Sequence, residues 1–213
     1  MSEYKKSLKY ILYLASGSQS RKNLLSDAQI PFAIIPQFAD ESVVSLNGPL
    51  QDIVQDIAML KMKHVQIPEG KIEGQIIFIL TADTLTLTGG PESFEIFGKP
   101  KDRDHAKYMI KSGNKGSITG TAFCVQKLIW KNSEWNRLDQ EIGYAEGWNL
   151  IDIPDSFIDF YLDHVDYMNL SGAIKIRGFC EQFTKEVRGS YSAIMGLPMY
   201  ELRGLLMRMG FYE

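Results

Sequence analysis

Asp83 is an isolated carboxylate that follows five apolar residues, Ile76-Ile77-Phe78-Ile79-Leu80. Such a run reads as a buried strand, here ending in the acid. A carboxylate taken out of water costs roughly several kcal/mol unless a cation or hydrogen-bond donors meet it. A metal ion, or Lys99 of the Gly98-Lys99-Pro100 turn, would meet that need; the plain alternative is a turn-forming Asp. A second candidate is the loop Ser16-Gly17-Ser18-Gln19-Ser20-Arg21, which lies between the apolar stretch 10–15 and a helical pattern with Leu24 and Leu25. A helix start offers free backbone N–H groups and the positive end of its dipole. Ser16 and Ser18 add hydroxyls there, and Arg21 adds a guanidinium fork suited to phosphate. The Walker pattern GxxxxGK[ST] is absent, and a capping Ser before a solvated basic turn is the competing reading. Asp40 and Glu41 follow a short strand at 31–36, as metal ligands or as a capping turn. Lys61 lies on the helical stripe of Leu50, Ile53, Val54 and Ile57, so its ammonium either snorkels outward or enters a cleft. His64, His105 and His164 stand alone and are assigned no chemistry.

The elements that must hold these groups alternate between strand and helix. Strands are expected at 10–15, at 31–36 and from Ile76, and as a long pair at 116–130 and 134–152 joined by the turn Lys131-Asn132-Ser133. Helices are expected at 49–67, after the capping Asp102, and from Pro154, where Phe157, Ile158, Phe160, Tyr161, Leu162 and Val165 are candidate buried positions. A closing helix follows Gly196-Leu197-Pro198, with Tyr200, Leu202, Leu205, Leu206 and Met209 on its apolar side. Residues 171–178 alternate apolar and basic types, as the edge of a cleft would.

With 213 residues, 45% apolar and 23% charged, the chain has the composition of a soluble globular protein. No linker divides it, so one domain spanning 1–213 is expected. The net charge of −3 carries no footprint for a nucleic-acid polymer. Cys124 and Cys180 sit among apolar neighbours without metal spacing and read as buried free thiols of a reducing compartment. Lys5, Lys6 and Lys9 precede an apolar run too short for a signal peptide or a membrane span, which implies a cytoplasmic protein.

Taken together, the motifs resemble the Maf family of nucleoside triphosphate pyrophosphatases, in the family's order and across almost the whole chain. Leu14-Ala15-Ser16-Gly17-Ser18-Gln19-Ser20-Arg21 resembles its opening LASxSxxR, and Asp40-Glu41 its acidic pair. Ala58 with Lys61 resembles its helical lysine motif, Ala82-Asp83-Thr84 its ADT triplet, and Gly98-Lys99-Pro100 its GKP. Ser112-Gly113, Thr119-Gly120 and Gly189-Ser190-Tyr191-Ser192 with Gly196-Leu197-Pro198 match the later steps.

The resemblance implies an α/β fold, a curved mixed β-sheet flanked by helices with two lobes around a central cleft. It implies hydrolysis of a nucleoside triphosphate to the monophosphate and pyrophosphate with a divalent metal, Mg²⁺ or Mn²⁺. Ser16, Ser18, Arg21, Lys61 and Lys99 would bind substrate, Glu41 and Asp83 would hold the metal, and Asp83 would orient or deprotonate water. Base preference in the family follows three positions, here Ser20, Thr84 and Arg177. Thr84 resembles the members acting on dTTP and UTP. Ser20 and Arg177 match neither those nor the 7-methyl-GTP group, and a cationic Arg177 disfavours a methylated guanine. The expectation is a pyrimidine or modified pyrimidine nucleotide, with a homodimer as the family's common state. The other readings are a 7-methyl-GTP-type pyrophosphatase and a nucleotide-binding regulator of septum formation acting through a protein partner.

Overall fold

In the computed structural model, residues 9–90 and 93–213 are described; Lys5 and Lys6 lie outside that range. Seven strands form one mixed sheet: β1 (Leu12–Leu14), β2 (Phe32–Ile34), β3 (Ile76–Gly90), β4 (Ser93–Phe97), β5 (Ser117–Lys131), β6 (Glu134–Ile151) and β7 (Thr184–Gly189). The order is β2-β1-β3-β5-β6-β7, with β4 also on β3. β1 lies parallel to both β2 and β3, and the remaining pairs are antiparallel. The β5–β6 turn places Asn132 and Ser133 at φ 54° and 61°, the left-handed pair that a tight hairpin requires.

Among the described residues, six α-helices pack on this sheet: α1 (Gln19–Asp27), α2 (Leu50–Lys63), α3 (Arg103–Gly113), α4 (Asp155–His164), α5 (Tyr191–Ile194) and α6 (Met199–Arg208). The alternation of strand side chains assigns them to faces. Phe78, Leu80, Ala82, Phe123 and Val125 point to one face, where Leu24 and Leu25 of α1 and Leu202, Leu205 and Leu206 of α6 bury them. A second cluster joins Met109 and Ile110 of α3 to Ile158, Tyr161 and Leu162 of α4 over Ile151. Met195 packs against both clusters, and the α/β fold with a mixed sheet flanked by helices is as expected. On the opposite face, Leu85 and Ala122 meet Ile53, Val54, Ile57 and Ala58 of α2.

Several expectations are corrected. Asp83 does not end its strand: β3 runs on to Gly90, because Thr86–Gly90 find a new partner in β4 while β5 pairs continuously through Thr88. The helix expected over 49–67 stops at Lys63; Val65 instead bridges Gln37 in extended pairing, which suits a β-branched residue. Phe157, Phe160 and Tyr200 are 43%, 51% and 75% exposed rather than buried, since α4 and α6 each turn only one stripe inward. Residues 171–178, read as a cleft edge, carry the 3₁₀ turn Ser171–Ala173 and the start of a second at Gly178–Phe183, and Ser171, Gly172, Ile174 and Ile176 line a slot.

Cys124 and Cys180 are free and buried. Burial pushes their thiols up to about 12 and about 11. The native protein is therefore expected to resist alkylation by iodoacetamide at pH 8, with both thiols reacting once denaturant is added; mass spectrometry distinguishes the two states. Among the described residues, no helix is long and apolar enough to cross a membrane.

Candidate active site

The central strand is left open in one place. On one edge, β1 pairs with Phe78–Leu80 and β4 pairs with Thr86–Gly90. Between them, residues 81–85 have no strand partner on that edge, so the backbone window is framed by the β1 end and the β4 start. Asp83 sits in its middle. The parallel pairing of β1 also carries the chain directly from Leu14 to Ser16 beside this window, where Ala15 N–H donates to Leu80 O at 2.9 Å.

Asp83 is 6% exposed and faces α2. Thr81, on the same face, donates to Ala58 O at 2.7 Å and locks α2 onto the strand. That docking brings Lys61, itself 7% exposed, to 2.7 Å from Asp83 Oδ1. The same ammonium lies 3.0 Å from Glu41 Oε1. Lys61 thus enters the cleft rather than snorkelling, because the stripe that carries it is buried on the sheet. The two neighbouring acids divide the readings made of them. Asp40 caps a 3₁₀ turn (Glu41–Val43), and the Ser42 hydroxyl and N–H hold its carboxyl below the usual carboxylate range. Glu41 is left to reach Lys61. Asp83 Oδ2 is buried and has no hydrogen-bond partner among the described residues.

Ser18 caps α1, its Oγ accepting from Arg21 N–H at 3.5 Å. Arg21 is 8% exposed, and its donors turn inward. Nε donates to Gly196 O at 2.8 Å, Nη1 to Ser16 Oγ at 3.0 Å and Nη2 to Thr84 Oγ1 at 3.0 Å. Of the five N–H groups of a guanidinium, three are spent on the protein. Burial lowers the Arg21 pKa, against the raising effect of Asp83 and then Glu41; the side chain stays cationic and biases the window toward anions. The Thr84 hydroxyl is committed as well. Thr121 Oγ1 donates to Ala193 O at 2.7 Å, so the 2.9 Å contact between the two threonines takes the Thr84 proton. Thr84 accepts from Arg21, and the relay ends at Ala193, which leaves a ligand only a lone pair. Thr121 and the Ala193 carbonyl were not anticipated from the sequence; only strand register places Thr121 opposite Thr84.

Lys99 is exposed and makes no ion pair among the described residues. The Thr86–Phe97 pairing sets its turn at the edge of the window. Gly172 anchors that turn by donating to Gly98 O at 3.0 Å. At Gly172 the backbone is at φ +67°, and a Cβ would lie 3.2 Å from Thr86, so only glycine fits this close approach. Ser20 is half-buried on α1. Arg177 is set apart, 53% exposed and 3.9 Å from Asp27 Oδ2 at the far end of α1. The structure therefore unites Ser16, Arg21, Glu41, Lys61, Asp83 and Thr84, keeps Lys99 at the rim, and leaves Arg177 bridging two surface segments.

No group of three or more His, Cys, Asp or Glu side chains suited to a metal is present among the described residues. Two carboxylates, one with an unpartnered buried oxygen, fit an ion that takes its other oxygens from water and from phosphate, as Mg²⁺ commonly does. They do not fit an ion caged by protein alone.

A buried acid beside a lysine and an inward arginine thus lie together at an open backbone window. The sequence profile of the family described as Maf-like protein matches residues 11–209. The chain belongs to the Maf family. It is 33% identical over 202 residues to a dTTP/UTP pyrophosphatase of Anaeromyxobacter dehalogenans (strain 2CP-1), covering 94% of each chain. A dTTP/UTP pyrophosphatase of Hydrogenovibrio crunogenus is 30% identical over 97% of this chain and 100% of its own. A third, from Fusobacterium nucleatum, is 31% identical over 94% and 96%.

Proposed function

We propose that this protein is a nucleoside triphosphate pyrophosphohydrolase that converts a pyrimidine triphosphate, such as dTTP or UTP, to the monophosphate and pyrophosphate. The observation that carries this reading is Asp83 Oδ2, a buried carboxylate oxygen with no partner. An acceptor left unmet in the interior costs about 1–3 kcal/mol, more when charged, so an attacking water or a metal ion at this oxygen would relieve that cost. A protein that only bound nucleotides would have no use for it. The names of the relatives support the pyrimidine assignment.

The triphosphate lies across the window. Ser16, Ser18, the remaining Arg21 N–H groups and Lys99 supply donors to its oxygens. Lys61 holds Asp83 and Glu41 in place and adds positive charge where charge develops on the leaving group. Asp83 Oδ2 accepts a proton from water as its oxygen bonds the α-phosphorus. The bond from that phosphorus to the α–β bridging oxygen breaks, and pyrophosphate departs. A divalent ion held by Glu41 and Asp83 would neutralise phosphate charge there.

The test is pyrophosphate release from a panel of canonical and modified nucleoside triphosphates with Mg²⁺ or Mn²⁺. Release from dTTP or UTP at kcat/KM at least tenfold above that for purine triphosphates is expected. Absence of release from every nucleotide would sink the catalytic reading.

A further inference from the structure

A second polar constellation lies along the same strand. On the face carrying Thr84, the cross-strand pairs continue as Thr86 with Thr119 and Thr88 with Ser117, and Asn149 of β6 stands beside Ser117. All five side chains are buried, between 3% and 8% exposed. A slot opens over them, walled by Met109, Ile174, Ile176 and Ile194. Its inner end is not satisfied. Thr88 is 3% exposed, yet its Oγ1 has no hydrogen-bond partner. Asn149 is 4% exposed and uses its Oδ1 to accept from Ser117 Oγ at 3.2 Å, leaving its amide N–H groups uncommitted. The nearer end of the ladder is closed instead: Thr86 contacts Thr119 at 3.2 Å and Ser171 at 3.0 Å, and Ser171 donates to Phe97 O.

No charged side chain lines the slot, so its occupant is uncharged. Its volume of about 20 Å³ exceeds the roughly 10–15 Å³ that one water needs, and admits a projecting polar atom rather than a whole ring. Both Thr88 and Asn149 line it, and a threonine hydroxyl and an amide are donors that suit a carbonyl oxygen. Thr84 and Thr88 are roughly 13 Å apart along the strand at about 3.3 Å per residue; Asp83 faces α2 on the other side of the sheet, so a base reaches the slot around the open edge at residues 81–85.

We propose that this slot receives a carbonyl oxygen of the substrate's uncharged base, with Thr88 and Asn149 as specificity-determining residues that select a keto base over its amino counterpart. The assignment rests on the nucleotide-hydrolysing reading above.

Kinetics of Thr88→Val, Thr88→Ser and Asn149→Asp with UTP and CTP, compared with wild type, form the test. Thr88→Val lowers kcat/KM for UTP by roughly tenfold, the worth of one hydrogen bond, and Thr88→Ser restores it. Asn149→Asp exchanges donors for acceptors and moves the UTP:CTP ratio at least tenfold toward CTP. A crystal structure with bound UMP places a base oxygen within hydrogen-bond reach of Thr88 Oγ1 or Asn149 Nδ2. An unchanged UTP:CTP ratio in folded variants, or a base lying elsewhere in that complex, overturns the slot while leaving the hydrolysis intact. If wild type cleaves no nucleotide, the underlying reading fails and the slot falls with it. Should a variant not fold, the UMP complex alone decides.

Discussion

Replacing Asp83 by Asn is expected to lower pyrophosphate release by roughly 10²–10⁴-fold, the range for removing a general base. The substitution keeps shape and removes charge from an acid whose second oxygen is buried and unmet at the window. The Lys61 contact at Oδ1 survives as an ammonium-to-amide-oxygen hydrogen bond, and Lys61 retains Glu41 at 3.0 Å, so the folded state persists. The expected pattern is a kcat loss without a matching loss of nucleotide binding, read by comparing single-turnover rates with the Kd for a non-hydrolysable triphosphate analogue. A variant that turns over at more than a tenth of the wild-type rate would remove Asp83 from the chemistry and return it to a structural role.

The largest stability effect is expected at Lys61. Lys61→Met keeps the length and apolar stem of the side chain but leaves Asp83 buried with no cation within bonding reach. Breaking a buried pair from one side typically costs about 3–5 kcal/mol. The partner is enclosed to the same degree, with both side chains 9% exposed, so solvent offers little relief. Glu41, 47% exposed, can rotate into water and adds little. The double variant Lys61→Met/Asp83→Asn removes both charges and is expected to recover more than half of that loss. Urea denaturation in metal-free buffer measures all three proteins. Equal destabilisation of single and double variants would mean that α2 docking, rather than the ion pair, carries the energy.

Much of this site was legible in the residues themselves. Strand and helix periods placed most elements, though not β4 or β7, and caps such as Asp102, whose side chain accepts from His105 N–H, marked helix starts, because these signals are local. The apolar stripe placed Lys61 on the buried side of its helix but left open whether its ammonium snorkels outward or enters a cleft. The identities at Ser16, Arg21, Glu41, Lys61 and Asp83 were enough to propose an anion site before any contact was known.

Other features were decided only when the chain closed on itself. Whether Lys61 snorkels or turns inward depends on Thr81 fastening α2 to β3. Which of Asp40 and Glu41 caps and which pairs depends on where Lys61 arrives. The window around Asp83 exists because β1 stops at Leu14 and β4 begins pairing at Thr86, two partners distant in sequence that leave five residues uncovered. The roles of Arg21 and Thr84 depend on Gly196 and Thr121, 175 and 37 residues away. Composition and period report which side chains are buried and on which face. Hydrogen-bond partners are set by register and by packing between distant segments, and those only the tertiary structure supplies.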